Sequence, residues 1–439
     1  MSHSFFGTDG IRASVGQEPL TPTSLFKLGK AIGFWIQKKK PNAHIIIAND
    51  TRHSASLCKT ALTLGLLHFP IRLDYAAIAP TPLVHHYVKD HLYDFGIVIT
   101  ASHNPFHDNG IKIVTPDGKI TAQDEQIIMT LFKEDTVSFT PESLGTEQSL
   151  LTTHAFYQEK VAYYFKKNFL KQYTIVLDTA HGALSSYAQK IFEHFGATVK
   201  MIHNEPNGKN INANAGSLFP EHVKNAVLRY GAHAGFAFDG DGDRVIALSS
   251  DGTIKDGDDI LCFLLKHPRY RSSQAVVGTI ISNQGLAHHL EQTHRSLLRT
   301  PVGDKYIVEE LKQNNLILGG EPSGHIIMRD FSDCPDGLFT ALKIAETALL
   351  TNDWTMKTFE KFPYVTKNIP VFEKKDLTKE PIVSIIKKNE KTFIGGRLIV
   401  RYSGTESILR IVAEGPNKDQ AQTTIDALSY DLLPYLTKE

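Results

Sequence analysis

The segment FGIVITASHNPFHDNGIKI, residues 95–113, decides the fold that this sequence predicts. Its apolar run Phe95–Ile99 predicts a buried strand, and the small and polar residues at 100–105 predict a loop directly after it. A second apolar run, which carries Lys112, predicts another strand. Ligands bind at the carboxyl ends of strands in α/β sheets, so this loop places Ser102 where such a site would form.

Units of a strand, a polar loop and a second element recur along the chain. The segments with this pattern are TIVLDTAHGALSSYAQKIFEHFG (174–196), AVVGTIISNQGLAHHLEQTH (275–294) and LILGGEPSGHIIM (316–328). The segment RLIVRYSGTESILRIVAEG (397–415) instead predicts two strands around a short loop, followed by a final helix. The sequence therefore predicts three related α/β domains and a smaller C-terminal α+β domain.

The expected domain boundaries follow the length of the chain and changes in local composition. With 439 residues, the chain is too long for one hydrophobic core. A Ser/Thr-rich stretch at 147–153 and Asp/Gly turns at 251–258 indicate two of the boundaries. The domains that we expect are 1–150, 151–250, 251–365 and 366–439.

The overall composition excludes several classes of protein. Lys+Arg and Asp+Glu are equal at 47 each, so no global charge indicates a nucleic-acid or membrane-surface partner. The three cysteines are far apart and form neither a disulfide framework nor a zinc-binding pattern. The N-terminus lacks the features of a signal peptide, and no apolar run approaches the length of a membrane helix. We therefore expect a cytoplasmic protein without nucleic-acid or membrane partners.

The segment GFAFDGDGDRVIAL (235–248) alternates aspartate with glycine between two apolar runs. Asp239, Asp241 and Asp243 would repel one another strongly without a cation, and their hard oxygen ligands suit Mg²⁺ or Ca²⁺. The spacing is not that of an EF-hand, because Arg244 stands at the sixth position, where that motif has glycine. A surface Asp-Gly turn is the alternative to a metal site.

Two further loops carry groups that suit sugars and phosphates. The segment GGEPSGHI (319–326) offers Glu321, Ser323 and His325, a mixture of acceptors, donors and a titratable ring that suits sugar hydroxyls. The segment RYSGTESILR (401–410) combines hydroxyls, backbone amides and forked guanidinium groups, which together suit a phosphate clamp. A plain turn and a plain hairpin are the respective alternatives.

Ser102 itself supports two interpretations. Thr100 and Asn104 flank it, so the loop is not the G-x-S-x-G elbow of the α/β-hydrolases. An Asn-Pro turn with a helix-capping serine is one interpretation. A nucleophilic or phosphate-carrying hydroxyl at the edge of a sheet is the other.

The four loops, in this order and over nearly the whole chain, resemble those of the α-D-phosphohexomutases. The segments FGTDGIR (6–12) and TPVGDKYIVEEL (300–311) are similar to the phosphoglucosamine mutase branch of that family. The resemblance implies three α/β domains and a smaller C-terminal domain around a central cleft. It also implies an isomerase that interconverts glucosamine 6-phosphate and glucosamine 1-phosphate through a phosphoserine and a 1,6-bisphosphate, and so feeds UDP-N-acetylglucosamine and cell-wall precursor synthesis.

The resemblance implies a role for the serine loop and the aspartate loop. Ser102 would carry the phosphate, and with Asp239, Asp241 and Asp243 it would bind one Mg²⁺ per subunit. A hexosamine 1,6-bisphosphate would be intermediate and activator, a small-molecule sugar phosphate would be the only partner implied, and a homodimer is compatible with the family.

The resemblance also implies which residues act on the transferring group and on the sugar phosphate. Arg12 and Lys112 would flank the reaction centre, and Arg244 would approach the serine phosphate. Lys112 and His325 are the candidates for general acid and base, and the sequence does not assign which is which. The residues implied to bind the sugar and its non-reacting phosphate are Glu321, Ser323, Arg401, Ser403, Gly404, Thr405 and Arg410.

Other functions remain open at the level of sequence. Pro322 stands where the glucosamine branch commonly has glutamine, which leaves a phosphomannomutase/phosphoglucomutase as the nearest alternative. A sugar-phosphate-binding protein without turnover is an alternative of a different class, although binding alone needs no phosphoryl acceptor such as Ser102. A hydrolytic phosphatase would need an activated water and would release inorganic phosphate.

Overall fold

The computed structural model describes residues 5–7, 9–135, 144–403 and 407–436. The chain divides into two compact units. The first unit consists of Met1–Ile280 and Arg299–Lys357, and the second consists of Ile281–Leu298 and Thr358–Glu439.

The described residues form strands throughout both units. The strands are β1 Phe6–Gly7, β2 Gly10–Ser14, β3 His44–Asn49, β4 Arg72–Ile78, β5 Phe95–Ile99, β6 Asp108–Thr115, β7 Gly118–Lys119, β8 Thr146–Ser149, β9 Thr174–Asp178, β10 Thr198–Ile202, β11 Ala234–Phe238, β12 Val245–Leu248, β13 Ile254–Lys255, β14 Ala275–Thr279, β15 Ser296–Thr300, β16 Leu318–Gly320, β17 Ile326–Met328, β18 Tyr364–Pro370, β19 Arg397–Tyr402 and β20 Ile408–Glu414.

Helices connect most of these strands. The α-helices are α1 Pro22–Lys39, α2 Ala55–Leu66, α3 Thr81–Lys89, α4 Ala122–Glu134, α5 Thr153–Ala162, α6 Ala188–His194, α7 Glu221–Tyr230, α8 Gly257–Leu264, α9 Gln284–Gln292, α10 Asp304–Gln313, α11 Gly337–Thr351, α12 Ile382–Thr392 and α13 Lys418–Leu436. Within the described parts of the chain, none of them has both the length and the apolar character that a membrane crossing requires.

One pattern of three strands occurs three times in the first unit. In each case two parallel neighbours are followed by an antiparallel strand, which gives the sets β3-β5-β6, β9-β11-β12 and β14-β16-β17. This finding confirms the predicted repeat of α/β design. The second and third strands of the sets are joined by residues 100–107, 239–244 and 321–325. The serine loop, the aspartate loop and the sugar loop therefore occupy equivalent places in three related sheets.

Local sequence explains where the elements start and which faces they bury. Helix α1 begins at Pro22, and the Thr21 side chain caps it by accepting a hydrogen bond from the Ser24 amide. The strand β5 is buried along its whole length, as expected for a strand with parallel and antiparallel neighbours and helices packed on the sheet. Apolar residues at helical spacing form the buried face of α1: Leu25, Leu28, Ile32, Trp35 and Ile36.

The second unit contains an antiparallel sheet in the order β18-β20-β19 and the helices α9, α12 and α13. The predicted hairpin β19–β20 and the final helix are present, and Ile425, Leu428 and Leu432 of α13 are fully buried. The strand β18 and the helix α12 were not predicted from the sequence. The strand β18 buries only Ile369 along its length, so its apolar signal is weak.

Candidate active site

Ser102 lies directly after β5, in the loop that leads to β6. Its side chain is fully buried, and Oγ donates a hydrogen bond to Asp239 Oδ2 at 2.7 Å and lies 3.2 Å from His103 Nδ1. The backbone of Ser102 has a φ of +50°, a left-handed conformation that serine rarely adopts. A Cβ atom at Gly240 would lie 2.7 Å from the Ser102 carbonyl oxygen, so only glycine allows the serine loop and the aspartate loop to approach this closely.

Asp239, Asp241 and Asp243 converge as the sequence predicts. All three are buried, and one carboxylate oxygen from each lies within 4.8 Å of the others. Asp241 Oδ2 accepts a hydrogen bond from Thr81 Oγ1 at 2.6 Å. Asp241 Oδ1 is buried and has no hydrogen-bond partner, which is costly for a carboxylate oxygen unless a cation contacts it.

The electrostatics of the three aspartates fit a divalent cation. Burial, with the charges of Asp243 and Asp241, raises the pKa of Asp239 to about 8. A carboxyl whose pKa is raised in this way resists a further negative charge, and a cation bound among the three groups would reverse the effect. The donor set consists of hard oxygen atoms, which is the set that Mg²⁺ prefers.

Lys112 reaches the same group of aspartates from β6. Its Nζ donates to Asp241 Oδ2 at 2.8 Å, to Asp243 Oδ2 at 3.0 Å and to Asp9 Oδ2 at 2.8 Å. Burial alone would lower the pKa of Lys112, but these three carboxylates raise it well above its usual value. Arg12 also binds Asp9, with 2.7 Å between Arg12 Nη2 and Asp9 Oδ2. Asp9 therefore holds both cations that the sequence analysis placed beside the reaction centre.

His325 connects the sugar loop to the aspartate loop. Its Nε2 lies 3.0 Å from Asp243 Oδ1 and its Nδ1 lies 2.8 Å from Glu321 Oε2. Burial and Arg244 act to lower the pKa of His325, but Asp243 and Glu321 outweigh them and raise it to about 9. The raised pKa favours the protonated ring, and both carboxylates can accept a hydrogen bond from that form. Arg244 Nε lies 3.0 Å from His325 Nε2, and Ser323 is partly buried in the same sugar loop.

The structure also brings in residues that the sequence analysis did not assign. Asp9 lies within the segment FGTDGIR, which the sequence shows, whereas its contacts with Arg12 and Lys112 appear only in the structure. Lys119 Nζ contacts Asp9 and lies 2.6 Å from Asp304 Oδ1, which adds a second pair of charges beside Asp9. Thr81 stands at the start of α3, and nothing in its local sequence indicates a contact with Asp241.

The predicted phosphate clamp lies in the second unit. Arg401 and Arg410 are direct partners in the antiparallel register of β19 and β20. Arg401 is exposed, whereas Arg410 is half-buried and its Nε lies 3.4 Å from Asn368 Oδ1. Ser403 is buried and its amide donates to the Ile408 carbonyl at 3.0 Å. Gly404 and Thr405 lie outside the described residues.

Family models match the chain along most of its length. They are the phosphoglucomutase/phosphomannomutase alpha/beta/alpha domains I, II and III, at residues 3–138, 154–252 and 256–362, and the C-terminal domain of the same family at residues 359–429.

Two curated relatives agree with these family matches. The chain is 35% identical to a phosphoglucosamine mutase of Carboxydothermus hydrogenoformans, over 96% of this chain and 98% of the relative. It is 36% identical to a phosphoglucosamine mutase of Geobacillus thermodenitrificans, over 97% of each chain.

Two solved structures share the fold at low sequence identity. A phosphoglucomutase/phosphomannomutase family protein of Burkholderia thailandensis has a TM-score of 0.81 at 20% identity, over 98% of this chain and 97% of that chain. The second is the N-acetylphosphoglucosamine mutase of Aspergillus fumigatus, solved in complex with GlcNAc-6P and magnesium. It has a TM-score of 0.64 at 16% identity, over 98% of this chain and 95% of that chain. The chain therefore belongs to the phosphoglucomutase/phosphomannomutase family of α-D-phosphohexomutases.

Proposed function

We propose that this chain is a phosphoglucosamine mutase, an isomerase that interconverts glucosamine 6-phosphate and glucosamine 1-phosphate. The observation that carries the proposal is the buried Ser102 hydroxyl, which donates to Asp239 at the edge of three converging aspartates. A serine in that place can hold a phosphoryl group beside a cation. The near full-length similarity to curated phosphoglucosamine mutases supports the choice of sugar.

Mg²⁺ is the cofactor that the residues fit best. Asp239, Asp241 and Asp243 would hold one ion per subunit, with the phosphate of Ser102 as a further ligand. When bound, the ion would offset the charge of the serine phosphate and polarise the transferring phosphoryl group. The unpartnered Asp241 Oδ1 and the raised pKa of Asp239 support a cation at this place.

The reaction then consists of two phosphoryl transfers. The 1-hydroxyl oxygen of glucosamine 6-phosphate attacks the phosphorus of the Ser102 phosphate, and the bond between phosphorus and Ser102 Oγ breaks. The proton of the sugar hydroxyl passes to the general base, and the general acid gives a proton to Ser102 Oγ, which can then accept a phosphoryl group again. The 1,6-bisphosphate turns round, its 6-phosphate returns to Ser102, and glucosamine 1-phosphate leaves. We propose that this product feeds UDP-N-acetylglucosamine and cell-wall precursor synthesis in the cytoplasm.

The cations around the aspartates stabilise the transferring group. Arg12 and Lys112, both held by Asp9, present positive charge on the side of β2 and β6, and Arg244 presents it next to His325. Preorganised charges of this kind need little reorganisation when negative charge shifts in the transition state. The raised pKa of His325 favours it as the general acid. Lys112 is then the candidate base, and it would have to lose the proton that its three carboxylate partners hold on it before it could act.

The sugar and its non-reacting phosphate are bound by separate loops in this proposal. Glu321 and Ser323 of the sugar loop would face the sugar hydroxyls. Arg401 and Arg410 stand opposite each other in the hairpin, and like charges in that position repel unless an anion lies between them. A phosphate would relieve that repulsion, and Ser403, Gly404 and Thr405 would add hydroxyl and amide donors.

The four roles fall into four consecutive parts of the chain. We propose that 1–150 carries the serine loop, 151–250 the metal loop, 251–365 the sugar loop and 366–439 the phosphate clamp. The equivalent places of the first three loops in β3-β5-β6, β9-β11-β12 and β14-β16-β17 support this division.

Turnover on three sugars tests the proposal. Purified protein with Mg²⁺ and a trace of glucose 1,6-bisphosphate is supplied with glucosamine, glucose or mannose 6-phosphate in parallel. We expect the highest kcat/KM on glucosamine 6-phosphate and one phosphate on the Ser102 peptide by mass spectrometry. A preference for mannose or glucose would assign the chain to the phosphomannomutase/phosphoglucomutase alternative. Net release of inorganic phosphate would indicate a phosphatase, and an unphosphorylated, inactive protein would indicate a sugar-phosphate-binding protein.

A further inference from the structure

Arg52 is a buried residue that contacts the backbone of the serine loop, although it carries none of the roles assigned above. We infer that Arg52 is a positioning residue, which sets the orientation of Ser102 for phosphoryl transfer. The inference rests on the proposed function, since it concerns the rate at which Ser102 gives and receives a phosphoryl group.

All five N–H donors of the Arg52 guanidinium are engaged. Nε donates to Asp50 Oδ2 at 2.9 Å. The four remaining N–H groups have main-chain carbonyls of the serine loop and the start of β6 as acceptors: those of Ser102 and Asn104, each 2.9 Å from Nη2, and those of Pro105 and Asp108 near Nη1. The planar, rigid guanidinium group of Arg52 therefore holds four backbone carbonyls in fixed positions at the same time.

Asn212 binds two of the same carbonyls from a different part of the chain. Its Nδ2 donates to the Ser102 carbonyl at 2.8 Å and to the Asn104 carbonyl at 3.0 Å. The Ser102 and Asn104 carbonyls, which flank His103 in the chain, therefore each accept two hydrogen bonds, one from the Arg52 guanidinium and one from the Asn212 amide. The loop cannot rotate about Ser102 without breaking contacts to both Arg52 and Asn212.

The loop needs this restraint because its serine is strained. Ser102 has a φ of +50°, and non-glycine residues hold such a conformation only where the surroundings impose it. Thr100 adds to the restraint, because its Oγ1 donates to Asp50 Oδ2 at 2.6 Å and accepts from the Ser102 amide at 2.9 Å. Asp50 therefore connects Arg52 with the residue that holds the Ser102 amide.

The consequence concerns the direction of Ser102 Oγ. Arg52 and Asn212 act on the Ser102 carbonyl and Thr100 acts on its amide, which leaves the side chain directed at Asp239. A displacement of about 1 Å in a reacting group can lower a rate by roughly 10²-fold. Lysine keeps the charge but offers at most three donors without a fixed plane, so it cannot hold four carbonyls and Asp50.

The test measures a single phosphoryl transfer in the intact protein. Wild type, Arg52→Lys and Asn212→Ala are each phosphorylated with glucose 1,6-bisphosphate, and the phosphate on Ser102 is quantified by mass spectrometry. Each phosphoprotein is then mixed with increasing glucosamine 6-phosphate, and the loss of the phosphate is followed by rapid quench. We expect the maximal rate of Arg52→Lys to fall roughly 10²-fold and that of Asn212→Ala by up to about tenfold, with half-saturating substrate unchanged within about twofold.

Arg329→Lys is the matched control. Arg329 also pairs with an aspartate, Asp333, and its Nη1 also donates to two main-chain carbonyls, those of Leu311 and Leu316. We expect both this variant and Arg52→Lys to lose thermal stability, and this variant to keep the wild-type transfer rate.

The outcomes separate the inference from its alternatives. A lower transition temperature for Arg52→Lys with a wild-type maximal rate would overturn the inference and leave Arg52 a structural role. A raised half-saturating concentration with an unchanged maximal rate would overturn it in favour of substrate binding. If Arg52→Lys does not fold, Asn212→Ala decides, since a slower transfer supports positioning and a wild-type rate refutes it. An inactive wild type would instead refute the proposed function.

Discussion

The aspartate loop of the first unit and the arginine hairpin of the second unit hold their charges in opposite ways. Asp239, Asp241 and Asp243 are buried, and Lys112 bonds two of them. In the hairpin, Arg401 is exposed, and the Arg410 side chain makes a long hydrogen bond to Asn368. Buried, mutually bonded charges are preorganised for a transition state, whereas exposed guanidinium groups exchange water for an anion when a ligand arrives.

The difference predicts which kinetic parameter each region controls. A change among the buried groups removes an interaction with the transferring phosphoryl group, so it should lower kcat. A change in the hairpin removes binding that is the same in the ground state and the transition state, so it should raise KM. The following predictions test this division, from the largest expected effect to the smallest.

Ser102→Ala gives the largest effect, because it removes the oxygen that carries the phosphate. We expect the loss of a covalent carrier to reduce turnover below about one per cent of wild type while the fold is retained. Steady-state turnover and circular dichroism measure the two quantities. The matched control is Ser249→Ala, since Ser249 is also fully buried and its Oγ also donates to an aspartate, Asp251, at 2.6 Å. Turnover by Ser102→Ala above that level would contradict the role of Ser102.

Asp241→Asn gives the next effect, because it removes one charge from the metal ligands with little change in shape. We expect Mg²⁺ affinity and kcat each to fall at least about tenfold, measured by titration calorimetry and turnover. Asp124→Asn is the control, since Asp124 is also buried but bonds Thr121, Trp35 and Lys39. It should lose stability and keep its affinity for Mg²⁺. Full turnover in excess chelator would refute the metal site.

The parts of the site that the sequence predicted are those that a single segment encodes. Three loops at strand ends carry their own signatures, such as the alternation of aspartate and glycine at 239–243, and the structure brings these loops together. The family resemblance named their roles, and those roles stay predictions. The apolar face of α1 was also predictable, since its periodicity is local.

The parts that the sequence analysis missed depend on contacts between distant segments. Arg52 and Asn212 bind the Ser102 carbonyl from positions 50 and 110 residues away, and no spacing within either segment indicates this. The charge of His325 has the same origin, because Asp243 lies 82 residues away from it in the chain. These contacts form only when the chain folds, whereas hydrophobic periodicity in the sequence predicts only local helices and strands.

Arg410→Ala tests the other side of the comparison. It removes one of the two opposed guanidinium groups, and the loss of such a charge-assisted contact costs about 1.5–3 kcal/mol. We expect KM to rise roughly tenfold or more with a small change in kcat, and added glucose 1,6-bisphosphate to restore part of the activity that is lost when the intermediate escapes. An unchanged KM without bisphosphate dependence would place the phosphate elsewhere.

Arg397→Lys is the control for the hairpin. Arg397 lies on the same strand as Arg401, but its Nη2 binds Glu414 Oε2 at 2.6 Å and the Ser282 carbonyl at 2.8 Å within the second unit. Its replacement should affect stability and leave KM unchanged. If both variants raise KM equally, the hairpin as a whole, and not its opposed arginines, determines binding.

The smallest expected effect extends the comparison to two ion pairs away from the proposed site. In the first unit, His203 Nδ1 lies 2.7 Å from the fully buried Asp178 Oδ2. In the second unit, Lys367 and Asp426 form a pair at 2.7 Å whose side chains are 42% and 51% exposed. The hydrogen bond to Asp178 raises the pKa of His203 above its usual value, although partial burial of the ring opposes this. A raised pKa means that the folded state binds the proton more tightly than the unfolded state does.

The stability from the His203 pair is therefore fully present below the unfolded pKa of about 6.5, and it is lost as the pH rises through the higher folded pKa. We expect His203→Asn to lower the free energy of unfolding by about 1 kcal/mol or less near pH 5.5, a small loss because the ring is partly exposed. Near pH 8 the loss should be smaller still, because less of the ring is protonated. Lys367→Met should show no such dependence, since it breaks an exposed pair that contains no histidine. Thermal unfolding of both variants and wild type at the two pH values measures the difference. An equal loss for His203→Asn at both values would show that the pair contributes through packing instead of charge.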